Sequence, residues 1–156
     1  MDVLLAVGML APDFVGITDE GKQIRLSDFR GKYVVLYFYP KDDTPGCTKQ
    51  ACNIRDNMSK LASNDIVVLG VSTDTVESHK KFKSKYNLNF TLISDKDRKI
   101  TSLYGVSGFA GLSKRVTFLI DKDGKIIHIF DNVDVNRHAE DILEKLASLS
   151  QKPSSN

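Results

Sequence analysis

The sequence lacks the features of membrane, nucleic-acid-binding and disulfide-stabilised proteins. No apolar run approaches the ~20 residues that span a bilayer, and 22 basic against 20 acidic residues leave a net charge of only +2. Without a strong field of one sign, we expect no nucleic-acid partner. The two cysteines, Cys47 and Cys52, are too few for a disulfide scaffold and lack the second pair of a structural zinc site. Their closeness in sequence indicates a reactive role and not a structural one.

The chain of 156 residues has the usual size of a single domain. We predict one domain over residues 1–150 and a disordered tail over residues 151–156. A short apolar stretch at the N-terminus carries Asp2 where a secretory signal has basic residues, so we interpret it as the first segment of the domain. The expected location is the cytoplasm.

Hydrophobic periodicity predicts alternating strands and helices. The β-branched and aromatic run Lys32–Tyr39, ended by Pro40, is typical of a central strand buried on both faces. Apolar residues at helical spacing predict a helix over about Cys47–Ala62, which places Cys47 in its first turn. Further strands are predicted over Phe14–Thr18, Gln23–Leu26, Ile66–Val71, Phe90–Ile93, Val116–Ile120 and Ile126–Phe130, and further helices over Val76–Tyr86, Arg98–Tyr104 and Val135–Leu149.

This order of elements predicts an α/β fold with a mixed central sheet flanked by helices. The first two strands form an N-terminal hairpin, and Phe90–Ile93 is expected at an edge of the sheet. The connections are too short for a second domain. Because several folds share this order, function must be sought in the site.

Cys47 is the first candidate for that site. A reactive cysteine acts as its thiolate, and the unpaired N–H groups and positive dipole end of a first helical turn stabilise an anion there. Thr44, three residues earlier, offers a hydroxyl that can donate or accept a hydrogen bond. Arg115, at the start of a predicted strand, is the candidate cation, although sequence spacing alone does not place it near the sulfur.

Plainer interpretations remain open for each of these residues. Without its neighbours Cys47 would be an inert, buried small hydrophobe, and Cys52 can equally be a packing residue. Spacing alone favours Arg115 as an exposed charge on a strand, and Pro40 and Thr44 suit an ordinary turn. The three histidines are dispersed and are expected to be structural or surface residues.

The spacing of Pro40, Thr44 and Cys47 resembles the active-site pattern of the peroxiredoxins, which is Pro, three residues, Thr, two residues, Cys. The stretch from Tyr37 to Cys52 is most similar to the peroxiredoxin Q group, also called bacterioferritin comigratory proteins. The resemblance extends from about Val7 to Asp121.

The resemblance implies a thioredoxin-like fold and a role for each matching residue. Cys47 would be the peroxidatic cysteine, with Pro40, Thr44 and Arg115 completing its pocket. Gln50 stands where the family has Gln or Glu, which is thought to orient that arginine. Cys52 matches the resolving cysteine.

The same resemblance implies a catalytic cycle without metal, haem or flavin. Cys47 would reduce hydrogen peroxide or an organic hydroperoxide and become a sulfenic acid, which Cys52 would convert to a disulfide. Thioredoxin or a similar dithiol would reduce the disulfide. The group suggests a monomer that serves antioxidant defence.

Helix geometry adds a prediction about this pair. Residues five apart in a regular helix have Cα atoms roughly 8.6 Å apart, whereas a disulfide tolerates at most ~7 Å. If Cys47 and Cys52 share a helix when reduced, its first turns must unwind before the two sulfurs can bond.

Two functions of other classes are alternatives to a peroxidase. A disulfide reductase or isomerase of this fold normally has a Cys-x-x-Cys motif, which the sequence lacks. A binding or chaperone module with silent cysteines is compatible with the same fold. Consumption of peroxide distinguishes the three.

Overall fold

The computed structural model describes residues 5–150. Their strands are β1 (Val15–Thr18), β2 (Gln23–Arg25), β3 (Tyr33–Phe38), β4 (Ile66–Ser72), β5 (Thr91–Ser94), β6 (Val116–Ile120) and β7 (Ile126–Phe130). The helices are α1 (Pro45–Asp56), α2 (Met58–Ser63), α3 (Val76–Tyr86), α4 (Lys99–Leu103) and α5 (His138–Ser150), with short 3-10 turns at Leu26–Phe29 and Phe109–Gly111. None of the helices in this part of the chain is long and apolar enough to cross a membrane.

The strands form one mixed sheet in the order β2-β1-β5-β4-β3-β6-β7. Strands β3, β4 and β5 are mutually parallel, and the remaining pairings are antiparallel. Parallel neighbours need long crossover connections, which α1 with α2 and then α3 supply. The predicted α/β class, the N-terminal hairpin and the central position of the strand before Pro40 are confirmed.

The prediction that Phe90–Ile93 is an edge strand is wrong. Strand β5 lies inside the sheet, where Ile93 pairs with Val71 of β4 on one side and with Thr18 of β1 on the other. The N-terminal hairpin, which is distant in sequence, covers the side of β5 that would otherwise be free. The edges of the sheet are β2 and β7.

The helix predicted from Cys47 to Ala62 is two helices, and the first begins earlier. Thr44 is the N-cap of α1, with an extended backbone, and Pro45 occupies its first turn, where a missing N–H costs nothing. At Asn57 the side-chain Nδ2 donates to the Asn53 carbonyl at 2.8 Å. This bond competes with the backbone ladder, and α2 starts after it.

The other boundaries agree with the predictions to within a few residues. Helix α3 begins where predicted, with Thr75 Oγ1 accepting from the Ser78 amide at 3.1 Å. Strand β2 ends at Arg25 because Leu26 starts a 3-10 turn, and α5 begins at His138 and not at Val135. The predicted tail at 151–156 lies outside the described residues.

Two apolar clusters cover the two faces of the sheet. Successive residues of a strand point to opposite faces, so Val35 and Tyr37 of β3 join one cluster and Val34, Leu36 and Phe38 join the other. The first cluster packs against α1, α3 and α5 and contains Cys47. The sequence thus places the first turn of α1 on the Tyr37 face of the sheet.

Candidate active site

Cys47 lies in the first turn of α1 and is only 2% exposed. The amides of this turn have no carbonyl of their own helix to bind, and the helix dipole places its positive end there. Both effects stabilise a negative charge at this position. The local sequence produces the arrangement, because Pro40 ends β3, Thr44 caps the helix and Pro45 starts it.

The structure brings Arg115 to the sulfur. Its Nη2 donates to Cys47 Sγ at 3.4 Å, and its Nη1 donates to Gln50 Oε1 at 2.6 Å. Arg115 directly precedes β6, which pairs with β3, and this pairing brings it across to the start of α1. The interpretation of Arg115 as an exposed charge is wrong, since the side chain is half-buried and donates hydrogen bonds to two acceptors.

Gly46 leaves the space that the guanidinium occupies. A Cβ atom on Gly46 would lie 3.1 Å from Arg115 Nη2, closer than such contacts usually are. Glycine suits this position because it has no side chain in the space of the guanidinium, and not because its backbone has a positive φ.

Gln50 is fully buried one turn after Cys47, with its Oε1 facing Arg115. Its Nε2 and the Tyr37 hydroxyl are the two buried side-chain polar atoms among residues 5–150 without a hydrogen-bond partner. Burial, followed by the negative charge of Cys47, raises the pKa of Tyr37 well above its ordinary value. Tyr37 lies in the run predicted as a buried central strand, and its position on the face of β3 beneath α1 is what brings it near the site.

Thr44 is half-buried beside Cys47, and its hydroxyl donates to the Lys41 carbonyl at 2.8 Å. With its hydrogen engaged, Thr44 Oγ1 faces any further partner as an acceptor. Pro40, also half-buried, follows directly on β3 and begins the loop that leads to Thr44.

Cys52 is half-buried, and neither cysteine is in a disulfide. Both lie in α1, which is continuous from Pro45 to Asp56. The condition for the predicted unwinding is therefore met in the reduced form, since regular helical geometry keeps Cα atoms five residues apart at roughly 8.6 Å.

The chain is similar to proteins of known sequence. Residues 7–129 match the model of the AhpC/TSA family. Peroxiredoxin Bcp of Bacillus subtilis (strain 168) is 42% identical over 156 residues, covering 95% of this chain and 99% of the relative. Peroxiredoxin Bcp of Escherichia coli (strain K12) is 45% identical over 149 residues, covering 91% and 96%.

Solved structures agree with these relatives. A cysteine-to-serine mutant of PrxQ from Xylella fastidiosa superposes with a TM-score of 0.90 at 29% identity, covering 96% of this chain and 99% of that one. Peroxidoxin BcpB from Mycobacterium tuberculosis gives 0.85 at 34% identity, covering 92% and 97%. The thioredoxin-like fold implied by the resemblance is confirmed. This chain belongs to the AhpC/TSA family, in the Bcp or peroxiredoxin Q group, and is a thiol peroxidase.

Proposed function

We propose that Cys47 is the peroxidatic cysteine and that Pro40, Thr44 and Arg115 form its pocket, with Gln50 orienting the arginine. The observation that carries the proposal is the 3.4 Å hydrogen bond from Arg115 Nη2 to the buried Cys47 sulfur at a helix N-terminus. A guanidinium keeps its charge at any physiological pH and binds two acceptors at once. The sulfur therefore has a permanent cation and helical amides beside it.

In the proposed first step the Cys47 thiolate attacks one oxygen of a hydroperoxide. An S–O bond forms and the O–O bond breaks, so the sulfur is oxidised and the peroxide reduced. The attacked oxygen stays on the sulfur with its hydrogen as a sulfenic acid, and the departing oxygen takes up a proton from the solvent and leaves as water or an alcohol. Arg115 can stabilise the negative charge that grows on this oxygen, and the Thr44 oxygen can accept the peroxide's hydrogen.

In the proposed second step Cys52 resolves the sulfenic acid. Its thiolate attacks the Cys47 sulfur, an S–S bond forms, and hydroxide leaves and becomes water. Thioredoxin or a similar dithiol then supplies two electrons and two protons that regenerate both thiols. The position of Cys52 on the same helix supports the pairing, because unwinding of that one helix is enough to join the two sulfurs.

We extend the proposal to substrate, location and assembly. A bacterioferritin comigratory protein of Xanthomonas campestris, 30% identical to this chain, is described as having alkyl peroxide reduction activity. We propose that this chain reduces both hydrogen peroxide and organic hydroperoxides as a cytoplasmic monomer in antioxidant defence.

The test treats the reduced protein with one equivalent of hydrogen peroxide and follows mass and free thiols. The wild type should form an intramolecular disulfide, Cys52→Ser should stop at a sulfenic acid, and Cys47→Ser should not react. If Cys47→Ser consumed peroxide as fast as the wild type, the assignment would be wrong. Subsequent recovery of both thiols with thioredoxin, compared with glutathione, tests the reductant.

A further inference from the structure

A buried polar network lies behind the loop that joins β3 to α1. Asp42, in the middle of this loop, is 7% exposed, and His79 of α3 is completely buried. The Asp42 carboxylate accepts from Tyr39 Oη at 2.6 Å and from Ser78 Oγ at 2.8 Å, and His79 Nδ1 lies 2.7 Å from one of its oxygens. Three side chains therefore converge on one carboxylate a short distance before Cys47 in sequence.

The surroundings of His79 favour a proton on both ring nitrogens. Its second nitrogen, Nε2, lies 3.0 Å from the Ile93 carbonyl oxygen of β5. A carbonyl and an ionised carboxylate can only accept hydrogen bonds, so each ring nitrogen has to donate. With Asp42 ionised, His79 is an imidazolium that donates to both acceptors.

The groups around the ring favour its charge. Asp42 faces it from the loop, Asp74 from the segment after β4, and the Tyr39 hydroxyl from the end of β3. Burial alone would lower the pKa of His79, but the hydrogen bond and charge of Asp42 outweigh it and raise this pKa above its ordinary value.

The same three residues also have the composition of a metal site. One ligand atom from each of Asp42, Asp74 and His79 falls within 4.8 Å of the others. An imidazolium, however, has no lone pair for a metal. Asp74 Oδ2 is occupied by the Asp42 amide at 2.9 Å and the Ser72 hydroxyl at 2.5 Å. The cluster is therefore better explained as an ion pair that holds the loop between β3 and α1 against α3.

Helix α3 contacts this loop a second time near its other end. Asp43, which has a positive φ of 59°, accepts from Lys85 Nζ at 2.8 Å and from Tyr86 Oη at 2.7 Å. This pair is exposed to solvent, where ion pairs stabilise little, whereas removing one partner of a buried pair is costly. The Asp42–His79 pair thus holds the loop more strongly than the Asp43–Lys85 pair. Thr44 and α1 follow directly after these two aspartates in the sequence.

We propose that His79 is a positioning residue of the peroxidase site. As an imidazolium it holds Asp42 and the loop at 40–44 against α3, and so keeps the first turn of α1, with Cys47, in the peroxide-reactive position. This inference rests on the proposed function of Cys47. It gives α1 a fixed starting point when its first turns refold after each reduction.

The proposal predicts a pH dependence opposite to that of thiol ionisation. The contribution of a histidine whose folded pKa is raised is complete below its unfolded pKa of about 6.5, and it is lost as the pH rises through the folded pKa. Ionisation of a thiol, in contrast, increases as the pH rises. Positioning by His79 therefore contributes most at the acidic end of the working range.

The experiment uses the Cys52→Ser protein, in which each variant stops after one reaction with peroxide. Stopped-flow rates with hydrogen peroxide are compared between about pH 6 and pH 9 for His79→Leu and for the control His128→Leu on β7. We expect His79→Leu to react about tenfold more slowly at the acidic end, with a deficit that shrinks as the pH rises. His128→Leu should follow its parent throughout.

Equal rates for His79→Leu and its parent at every pH would overturn the proposal. If His79→Leu does not fold, nitrogen NMR of the wild-type imidazole decides, because it needs no variant. Both ring nitrogens of His79 should stay protonated to a higher pH than those of an ordinary histidine, and a ring that loses its proton at a lower pH than that would also refute the proposal. If the parent itself fails to react with peroxide, it is the proposed function that is wrong.

Discussion

Arg115 is the residue on which the proposed chemistry depends most directly after Cys47. We expect Arg115→Ala to slow the reaction of Cys47 with hydrogen peroxide by about tenfold to a hundredfold, since charge-assisted hydrogen bonds contribute in this range. The reaction rate of Arg115→Lys should lie between those of the wild type and Arg115→Ala. An ammonium keeps the charge but cannot bridge Cys47 and Gln50 with two parallel donors. Single-turnover rates of the reduced proteins measure both. An unaffected Arg115→Ala, with Lys114→Ala as control, would remove Arg115 from the mechanism.

Gly46 allows stability and reactivity to be separated. Alanine in a helix is more stable than glycine by about 0.5–1 kcal/mol, so Gly46→Ala should unfold at the same or a higher urea concentration. The added Cβ, 3.1 Å from Arg115 Nη2, can be accommodated only if the flexible guanidinium moves from its place near the sulfur. We therefore expect a slower reaction with peroxide in a protein that is not destabilised. A Gly46→Ala protein as fast as the wild type would show that this contact does not restrain Arg115.

The helices and strands were predictable where their signals are local. The β-branched run of β3 and the hairpin turns follow from neighbouring residues. The position of β5 inside the sheet was not predictable, because the hairpin that pairs with it comes from the other end of the domain. Likewise, the break at Asn57 depends on one side-chain hydrogen bond that interrupts an otherwise continuous apolar pattern.

The candidate site divides in the same way. Cys47, Thr44 and Pro40 lie in one segment, so their motif could be recognised and their relative placement predicted. The contact of Arg115 with Cys47 depends on the pairing of β6 with β3, and the spacing along the chain contains no such information. His79 was predicted only as structural or surface, because its partner Asp42 lies 37 positions earlier.

Helix α1 should lose its first turns when the protein is oxidised. Ala51 and Ile54 are fully buried and hold the second half of the helix, whereas Pro45 and Gly46 contribute little helical propensity to the first half. Oxidation with one equivalent of peroxide should increase hydrogen exchange over residues 47–50 and leave α5 unchanged. Cys52→Ser is the control, since without a disulfide its exchange should stay that of the reduced form. Identical protection in the oxidised and reduced wild type would rule out the unwinding.

Two buried histidines make the whole domain sensitive to pH in opposite directions. Asp42 raises the pKa of His79 and favours its charged form, whereas His138, at the start of α5, is buried against Phe130 and Thr117. Burial, with a further contribution from the positive charge of Arg115, lowers the pKa of His138 to about 4. One group thus stabilises the fold when protonated, and the other stabilises it when neutral.

For His138 the direction and size of the effect follow from these pKa values. Its folded pKa of about 4 lies below the ordinary histidine value of 6.5, so the unfolded chain takes up a proton first as the pH falls. The contribution is complete above about pH 6.5 and is lost towards about pH 4, with a total near 3 kcal/mol. Urea unfolding of the wild type and of His138→Gln across this range measures it. The carboxylates titrate in both proteins and cancel in the difference, so His138→Gln should lose less stability on acidification, and two parallel curves would contradict the assignment of a buried neutral ring.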